Sequence, residues 1–356
     1  MSRSIPRSRF RQLAGRLEAW FAASSRPLPW RRAYVPWHVW VAEVMLQQTR
    51  MDLAVPYFER FIARFPDPPS LAAAAEHEVL TLWSGLGYYR RAKLLLAGAK
   101  WVVEHGGAIP SDPEALRRIP GVGRYTAGAI ASIAWDRAEP IVDGNVRRVA
   151  ARVEALGDPA GSANLDRSLW SWAEGLVGAA ASPRAVNQAV MELGALVCRP
   201  RAPRCDECPL GSLCRARKEG RPERYPLRRA GRPPAEMSIP LYVVSDSRGR
   251  ILLQSEHASR LTRGMFHLPH GSGELLGRDD SARFRPIERV GSFRHSITHR
   301  RIFFEVWRAE ARGDSVAEGG EALWVDPAEL DGFPHPSYVR KALAMAGPSV
   351  PAPRSS

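Results

Sequence analysis

The stretch from residue 116 to residue 148 places the tightest restriction on the fold, because it contains a glycine turn between two predicted helices. The turn has the sequence IPGVG, at residues 119–123, and glycine permits the backbone conformations that such a turn requires. The amides that open the second helix have no helical partner and attract an anion. Because Arg117, Arg118 and Arg124 surround the turn, the predicted anion is a nucleic-acid phosphate. The alternative is a turn that only lets two helices pack.

A second segment, LWSGLGYYRRA at residues 82–92, repeats this outline. Two such hairpins in one domain are harder to explain by packing alone. The formal charge of +14 in 356 residues also indicates a polyanionic partner. No apolar run approaches the roughly 18 residues of a membrane span. The sequence therefore predicts a DNA-binding protein that is cytoplasmic and associated with the nucleoid.

The pattern along the chain predicts two domains of different class. Residues 8 to about 215 alternate Ala/Leu-rich segments with Pro/Gly breaks and predict helices only. From Met237 the pattern changes to short β-like runs separated by turns. The predicted strands are Ser238–Ser245, Ile251–Gln254, Ile302–Ala309 and Leu323–Val325. The predicted boundaries are a helical domain over 1–216, a basic linker over 217–236, a smaller α+β domain over 237–345 and a disordered tail over 346–356.

Glu43 is the only acid in the apolar stretch from Val39 to Leu46. A helix leaves such a residue half exposed at best, and burial raises the pKa of a carboxylic acid. A carboxylic acid that stays protonated at neutral pH can act as a general acid. The alternative is a structural glutamate that caps a helix or pairs with an arginine.

Asp143 lies in the run IVDGNVRR, at residues 141–148. Asp-Gly-Asn also marks ordinary turns and helix N-caps, so this motif alone does not indicate a function. Glu43 and Asp143 together suggest a carboxylate pair, in which one acid protonates a leaving group and one anion faces an oxocarbenium-like sugar. This is the logic of glycoside hydrolysis applied to an N-glycosidic bond.

All four cysteines lie in one segment with the spacing C-x6-C-x2-C-x5-C, at Cys198, Cys205, Cys208 and Cys214. A disulfide scaffold is implausible for a chain of this length with no other cysteine. Zinc sites usually pair two C-x2–4-C units, and only one close pair is present here. An iron–sulfur cluster with four cysteine ligands is therefore favoured over zinc.

With the hairpin, the VDGN aspartate and the cysteine spacing, the chain resembles the endonuclease III superfamily of DNA glycosylases along nearly its whole length. The segment EVMLQQT at residues 43–49 and the appended β-rich domain resemble the adenine DNA glycosylases within it. The resemblance implies an all-α helix-hairpin-helix domain (hairpin 116–135, 4Fe-4S loop 198–214) and a smaller α+β Nudix-like domain. It also implies a monomeric, monofunctional enzyme that flips out and hydrolyses adenine opposite 8-oxoguanine or guanine in duplex DNA.

The resemblance also implies roles for individual residues. Glu43 protonates adenine and Asp143 stabilises the sugar cation, while Tyr125 stands where bifunctional relatives carry a Schiff-base lysine. Base flipping is implied as well, because the chemistry needs the nucleotide out of the stack. The remaining implied residues are Asn145 in the catalytic site; Arg26, Trp30, Arg31 and Gln188 in the adenine pocket; and Gln48, Tyr88, Gly121, Gly123 and Arg124 on DNA.

The C-terminal domain is similar to Nudix domains in outline but lacks the Nudix box with its metal-binding acids. The resemblance therefore implies recognition of 8-oxoguanine through Thr298 and His299, without nucleotide hydrolysis. Ile297 stands where the family has an aromatic residue, which weakens the expected discrimination between 8-oxoguanine and guanine. Two alternatives are an endonuclease III-like glycosylase/lyase and a non-catalytic iron–sulfur DNA-binding protein. Tyr125 argues against the first, and the presence of both carboxylates argues against the second.

Overall fold

A computed structural model of the chain describes residues 5–227, 235–256, 264–271, 279–297, 300–312 and 322–347. The chain divides into two compact units. One unit consists of Met1–Ala72 and Ala97–Gly231, and the other of Ala73–Leu96 and Arg232–Ser356. The second unit thus includes the hairpin at residues 82–92 together with the β-rich domain.

The described part of residues 5–227 is helical, as the sequence predicts. Short Pro- and Gly-rich connections separate the helices, which end where these residues disfavour the helical backbone. The helices are α1 (Arg7–Ser24), α2 (Pro36–Leu46), α3 (Met51–Arg64), α4 (Pro68–Ala72), α5 (Glu76–Trp83), α6 (Arg90–Glu104), α7 (Pro113–Leu116), α8 (Arg124–Trp135), α9 (Gly144–Glu154), α10 (Ala163–Val177), α11 (Pro183–Leu196) and α12 (Arg215–Lys218).

The core of the first unit forms where α1, α9, α10 and α11 pack against one another. Helix α1 contributes Leu13 and Leu17, one turn apart on its apolar face, and both are fully buried. Trp172 of α10 and Leu193 of α11 complete the same cluster. Each such side chain stabilises the fold by about 1.5–3 kcal/mol relative to exposure. This packing fixes the ends of α9 and α11, which carry much of the candidate site.

The glycine turn connects α7 to α8, and α7 is only a single turn long. Asp112 caps α7 by accepting a 2.8 Å hydrogen bond from the amide of Ala115. Gly121 adopts a φ of +82°, a conformation that favours glycine. Gly123 is the N-cap of α8, and because it has no side chain it accepts no side-chain hydrogen bond from the first amides of α8. The predicted hairpin is therefore present, but its first helix is shorter than the sequence pattern suggested.

Among its described residues, the β-rich part of the second unit contains two three-stranded sheets and one α-helix. In the first sheet β5 lies between β1, which is parallel to it, and β4, which is antiparallel; in the second, β2 lies between β3 and β6. The elements are β1 (Ala235–Val243), β2 (Ile251–Glu256), β3 (Met265–His267), β4 (Phe284–Ile297), β5 (Arg300–Ala311), β6 (Ala322–Val325) and α13 (Ser337–Ala346).

The α+β prediction for this part is confirmed, but the sequence analysis missed β3 and the longest strand, β4. The strand β5 alternates as expected, with Ile302, Phe304 and Val306 fully buried. In contrast, β4 carries many charged residues and two register shifts, near Pro286 and Gly291. These irregularities interrupt the period-two pattern by which a strand is recognised in sequence. The predicted tail lies outside the described residues beyond Gly347.

Candidate active site

A cavity of about 930 Å³ opens where α2, α8, α9 and α11 converge. The side chains that the sequence analysis assigned to catalysis and to the adenine pocket all line it. They come from positions far apart in the chain, and the packing of these helices brings them together. Its lining includes Arg26, Trp30, Arg31, Glu43, Gln48, Tyr125, Asp143, Asn145 and Gln188.

Glu43 is buried, with 6% of its surface exposed, because α2 is covered on nearly every side. The hydroxyl of Tyr125 donates a 2.7 Å hydrogen bond to Glu43 Oε2. The pKa of Glu43 is raised to about 7, chiefly by burial and also by the nearby Asp143, while the Tyr125 hydrogen bond and Arg31 act in the opposite direction. The side chain can therefore hold a proton near neutral pH and release it to a base bound in the cavity.

Asp143 caps α9, so the ordinary explanation of its motif is correct as a description of local structure. Its Oδ1 accepts a 2.6 Å hydrogen bond from the Val146 amide, and Oδ2 accepts a 2.9 Å bond from Asn145 Nδ2. Burial raises the pKa of Asp143, while these hydrogen bonds lower it because they favour the anion. The cap also fixes the direction of the carboxylate, which faces the same cavity as Glu43.

Asn145 is held in turn by Arg148, whose Nη2 donates to Asn145 Oδ1 at 2.7 Å and whose Nε donates to the Cys198 carbonyl at 2.7 Å. Gly194 of α11 permits this arrangement. A Cβ atom at that position would lie 2.5 Å from the Cβ of Asn145, which is too close for any side chain to fit without movement. The approach of α11 to α9 therefore requires glycine at position 194.

Arg26, Arg31 and Gln188 form one polar wall of the cavity around Glu192, a residue that the sequence analysis missed. Arg26 Nε and Arg31 Nη2 donate to the Glu192 carboxylate at 2.6 and 2.9 Å, and Arg31 Nε donates to Gln188 Oε1 at 2.9 Å. Burial alone would raise the pKa of Glu192, but the arginine hydrogen bonds bring it below its ordinary value. Glu192 is an acid in an apolar helix, the same signal that identified Glu43.

Trp30 closes another side of the cavity and is mostly a core residue. Its exposed fraction is 5%, and its ring meets that of Phe58 edge-on with centroids 5.0 Å apart. A buried indole at a cavity wall offers an apolar surface to a planar base. Both explanations of this residue, core packing and pocket lining, therefore hold.

The residues predicted to contact DNA have different surroundings. Gly121, Gly123 and Arg124 are not among the described residues that line the cavity, whereas Gln48 lines it and adopts a φ of +58°. Tyr88, in the second unit, is 42% exposed with a φ of +50°. Thr298 and His299 lie outside the described residues, so their assignment to 8-oxoguanine recognition stays a prediction.

The hairpin that carries Tyr88 is held from two sides within its unit. The Arg91 guanidinium donates to the carbonyls of Leu86, Gly87 and Tyr88 at 3.0–3.4 Å. The hydroxyls of Ser84 and Tyr89 donate to the His335 carbonyl at 2.8 and 3.0 Å. The exposed ring of Tyr88 therefore projects from a turn with a well-defined backbone.

The four cysteines line one small pocket beside α9. Arg152 Nη1 lies 3.4 Å from Cys198 Sγ, and burial, together with the charge of neighbouring cysteines, raises the thiol pKa values of Cys205, Cys208 and Cys214. In the described part of the chain, no group of three or more His, Cys, Asp or Glu side chains is arranged to hold a metal ion. Four thiols around one pocket fit a multi-iron cluster, in which the ligands share several metal atoms.

Comparison with known proteins supports the fold and the family. Residues 41–174 match the model of the HhH-GPD superfamily of base excision DNA repair proteins, and residues 241–345 match a NUDIX domain. A solved thermostable thymine-DNA glycosylase superposes with a TM-score of 0.54 at 24% identity, covering 60% of this chain and 98% of that one. That likeness shows the fold alone. No described helix is long and apolar enough to cross a membrane.

Several curated relatives are named as adenine DNA glycosylases. The Homo sapiens protein is 40% identical over 291 residues, which cover 78% of this chain and 52% of that protein. The chain thus spans about half the length of the human protein. The protein of Buchnera aphidicola subsp. Schizaphis graminum (strain Sg) is 32% identical over 287 residues, which cover 79% of this chain and 82% of that protein. With this extent of similarity and both carboxylates facing one cavity, the chain belongs to the adenine DNA glycosylase family.

Proposed function

We propose that this protein is a monofunctional glycosylase that removes adenine opposite 8-oxoguanine or guanine from duplex DNA and thereby starts base excision repair. The observation that carries the proposal is the pair of buried carboxylates, Glu43 and Asp143, which face one cavity lined by polar groups suited to a base. Names of curated relatives support adenine as the base.

In the proposed reaction, Glu43 transfers its proton to N7 of a flipped adenine. The bond between N9 and C1′ of the sugar then breaks, and its electron pair leaves with the base. Because burial raises the Glu43 pKa to about 7, a substantial fraction of the protein carries this proton at neutral pH. The hydroxyl of Tyr125 holds the carboxyl group in place through its 2.7 Å hydrogen bond.

The sugar left behind is an oxocarbenium-like cation, which the Asp143 anion stabilises or bonds transiently. Hydrogen bonds from Val146 and Asn145 orient this carboxylate. Water then adds to C1′ and loses its proton to a carboxylate. Among the described residues that line the cavity none is a lysine, so an imine with the sugar has no amine to form it. This favours hydrolysis over lyase chemistry.

Base flipping requires strong contacts to the DNA backbone and a group that replaces the lost base. We assign the first role to the hairpin with Gly121, Gly123 and Arg124, and the second to Gln48 and Tyr88. Tyr88 suits this role because its ring is exposed on a well-held turn. Recognition of 8-oxoguanine is assigned to Thr298 and His299. The protein would act as a monomer on DNA in the cytoplasm, at the nucleoid.

Cys198, Cys205, Cys208 and Cys214 would hold a 4Fe-4S cluster, which fits the single pocket that they line. When bound, the cluster would link the four cysteines and so cross-link the loop at residues 198–214. Arg148 and Arg152 attach this loop to α9 through the carbonyl and the sulfur of Cys198. These arginines thereby support the helix that Asp143 caps.

Single-turnover cleavage of a duplex with adenine opposite 8-oxoguanine tests the proposal, with an A·T duplex as control and each sample split between alkali and no alkali. Strand breaks only after alkali, and only with the mispair, are expected. Breaks without alkali would instead indicate a lyase. Absence of base release from protein with an intact cluster would favour a non-catalytic DNA-binding protein. The variant Glu43→Gln should bind the mispair and release no adenine; near-normal turnover would refute the general-acid assignment.

A further inference from the structure

Helix α10 carries three side chains, Asp166, Trp170 and Glu174, at intervals of four residues and therefore on one face. Two arginines from the starts of other helices meet this face. Arg147, in the first turn of α9, pairs with Asp166, and Arg124, the first residue of α8, meets both Trp170 and Glu174. All of these residues belong to the first compact unit. Trp170 takes no part in the proposed reaction.

Trp170 is the stronger of the two partners of Arg124. The guanidinium carbon lies 3.6 Å from the centroid of the Trp170 ring, which is van der Waals contact for stacked planes. The ion pair with Glu174 is long, at 3.4 Å, and its side chains are 53% and 55% exposed. Exposed pairs of this kind contribute little, because water and salt screen them. The ring therefore sets the direction of the arginine.

Stacking leaves the hydrogen-bonding edge of the guanidinium available. Arginine has five N–H donors around its edge, whereas a π contact uses its face. Only one terminal nitrogen of Arg124 contacts Glu174. A phosphate oxygen can therefore replace this carboxylate at the edge while the stack with Trp170 stays in place.

The position of Arg124 relates this stack to the candidate active site. Arg124 follows the glycine turn directly, and the next residue, Tyr125, donates to Glu43. Two successive residues of α8 thus have different roles: Arg124 is placed to bind the DNA backbone, and Tyr125 is the partner of the catalytic acid Glu43. An arginine held in one direction loses less side-chain freedom when it binds a phosphate than a free one does.

We propose that Trp170 is a positioning residue that holds Arg124 in the orientation in which it binds a DNA phosphate. The proposal rests on the proposed function, since it presumes that the hairpin contacts duplex DNA. Replacing Trp170 by Met keeps apolar volume and removes the ring. Without the ring, Arg124 gives up more side-chain freedom when it binds the phosphate, so DNA affinity should fall about two- to five-fold.

The test is a salt series of binding constants for a duplex with a 2′-fluorinated adenosine, whose N-glycosidic bond resists hydrolysis, opposite 8-oxoguanine. Arg124→Ala should reduce the slope of log K against log salt by about 0.9, the loss of one phosphate contact. Trp170→Met should weaken binding without changing that slope, and Trp170→Phe should restore most of the affinity. In the Arg124→Ala background, Trp170→Met should cause no further loss. Trp101→Met, which removes a half-buried ring stacked on His105 elsewhere in the unit, is the matched control and should leave binding unchanged.

The excision rate separates positioning from a general structural role. With Trp170→Met, the enzyme concentration for half-maximal rate should rise two- to five-fold, while the rate at saturating enzyme stays unchanged. Wild-type affinity of Trp170→Met, or an equal loss in the Arg124→Ala background, would overturn the inference. If Trp170→Met does not fold, Arg124→Lys tests the same inference, because a lysine ammonium group is not planar and cannot stack on the Trp170 ring. An unchanged DNA affinity of Arg124→Lys would refute the inference. Failure of the wild-type protein to bind DNA would instead refute the proposed function.

Discussion

The change Tyr125→Phe tests how the protein sets the proton affinity of Glu43. It removes the hydroxyl that donates to Glu43 Oε2 at 2.7 Å and leaves the ring in place. This hydrogen bond stabilises the charged carboxylate and so lowers the Glu43 pKa, which is still about 7 because burial raises it more strongly. Two groups lower the Glu43 pKa, Tyr125 and Arg31, and only Arg31 still does so in the variant. The Glu43 pKa in the variant should therefore lie above that of the wild-type protein.

The size of the shift follows from the strength of the lost bond. A hydrogen bond to a charged group contributes about 1.5–3 kcal/mol, and one pKa unit corresponds to about 1.4 kcal/mol. The Glu43 pKa should thus rise by about one to two units in the variant. A general acid works only while protonated, so activity falls as pH rises through this pKa. The falling limb should move from near pH 7 to about pH 8–9.

The assay is the rate of adenine release at sub-saturating enzyme across a pH series, because this rate follows ionisations of the free protein. Tyr34→Phe is the control. Tyr34 lies near the same wall, where its hydroxyl accepts a 3.3 Å hydrogen bond from Gln188, and among the described residues it forms no hydrogen bond with Glu43. This variant should keep the wild-type limb. A limb for Tyr125→Phe that stays near pH 7 or moves to lower pH would refute the reasoning.

Three further changes probe other parts of the structure. Since folding raises the Glu43 pKa from 4.5 to about 7, the free energy of unfolding of the wild-type protein should fall as pH rises through this window. Between pH 4 and pH 8 the free energy of unfolding of Glu43→Gln should therefore rise by up to about 3 kcal/mol relative to that of the wild-type protein. Chemical denaturation that shows no such pH-dependent difference would contradict this. Gly194→Ala should cost about 1–3 kcal/mol of unfolding free energy and slow excision, because the new methyl group displaces Asn145; a neutral result would show that α11 can move away. Cys208→Ser should reduce the iron content and the visible absorbance of the purified protein and lower its melting temperature, and unchanged iron content would exclude this ligand.

Much of the fold could be predicted from the sequence because its signals are local. The apolar spacing of α1, the breaks between helices and the change of pattern at Met237 each depend on neighbouring residues. The two hairpins were identified in the same way. The strand β4 could not be, since it carries charges and register shifts and is held by its pairing with β5. The pairing with β5 depends on the whole sheet and cannot be recognised from the pattern of apolar and polar residues within β4.

The candidate site shows the same limit. Glu43 attracts attention in the sequence because it is an acid among apolar neighbours, and Tyr125 because it stands in the hairpin. Glu192 gives the same kind of signal as Glu43 in α11, but its meaning depends on Arg26, 166 residues away. Without Arg26 and Arg31, Glu192 would be a buried acid without a charged partner.

The helical and α+β classes of the two parts, the glycine hairpins, the cysteine spacing and the two carboxylates could all be recognised in the sequence, since each follows from residue types at short separations. Which of these groups come into contact depends on how the helices pack. The hydroxyl of Tyr125 reaches Glu43 across 82 positions of the chain, and Arg124 stacks on Trp170 because α8 and α10 place them together. Proton affinity and phosphate geometry depend on such contacts, and these form only when distant helices pack into one core.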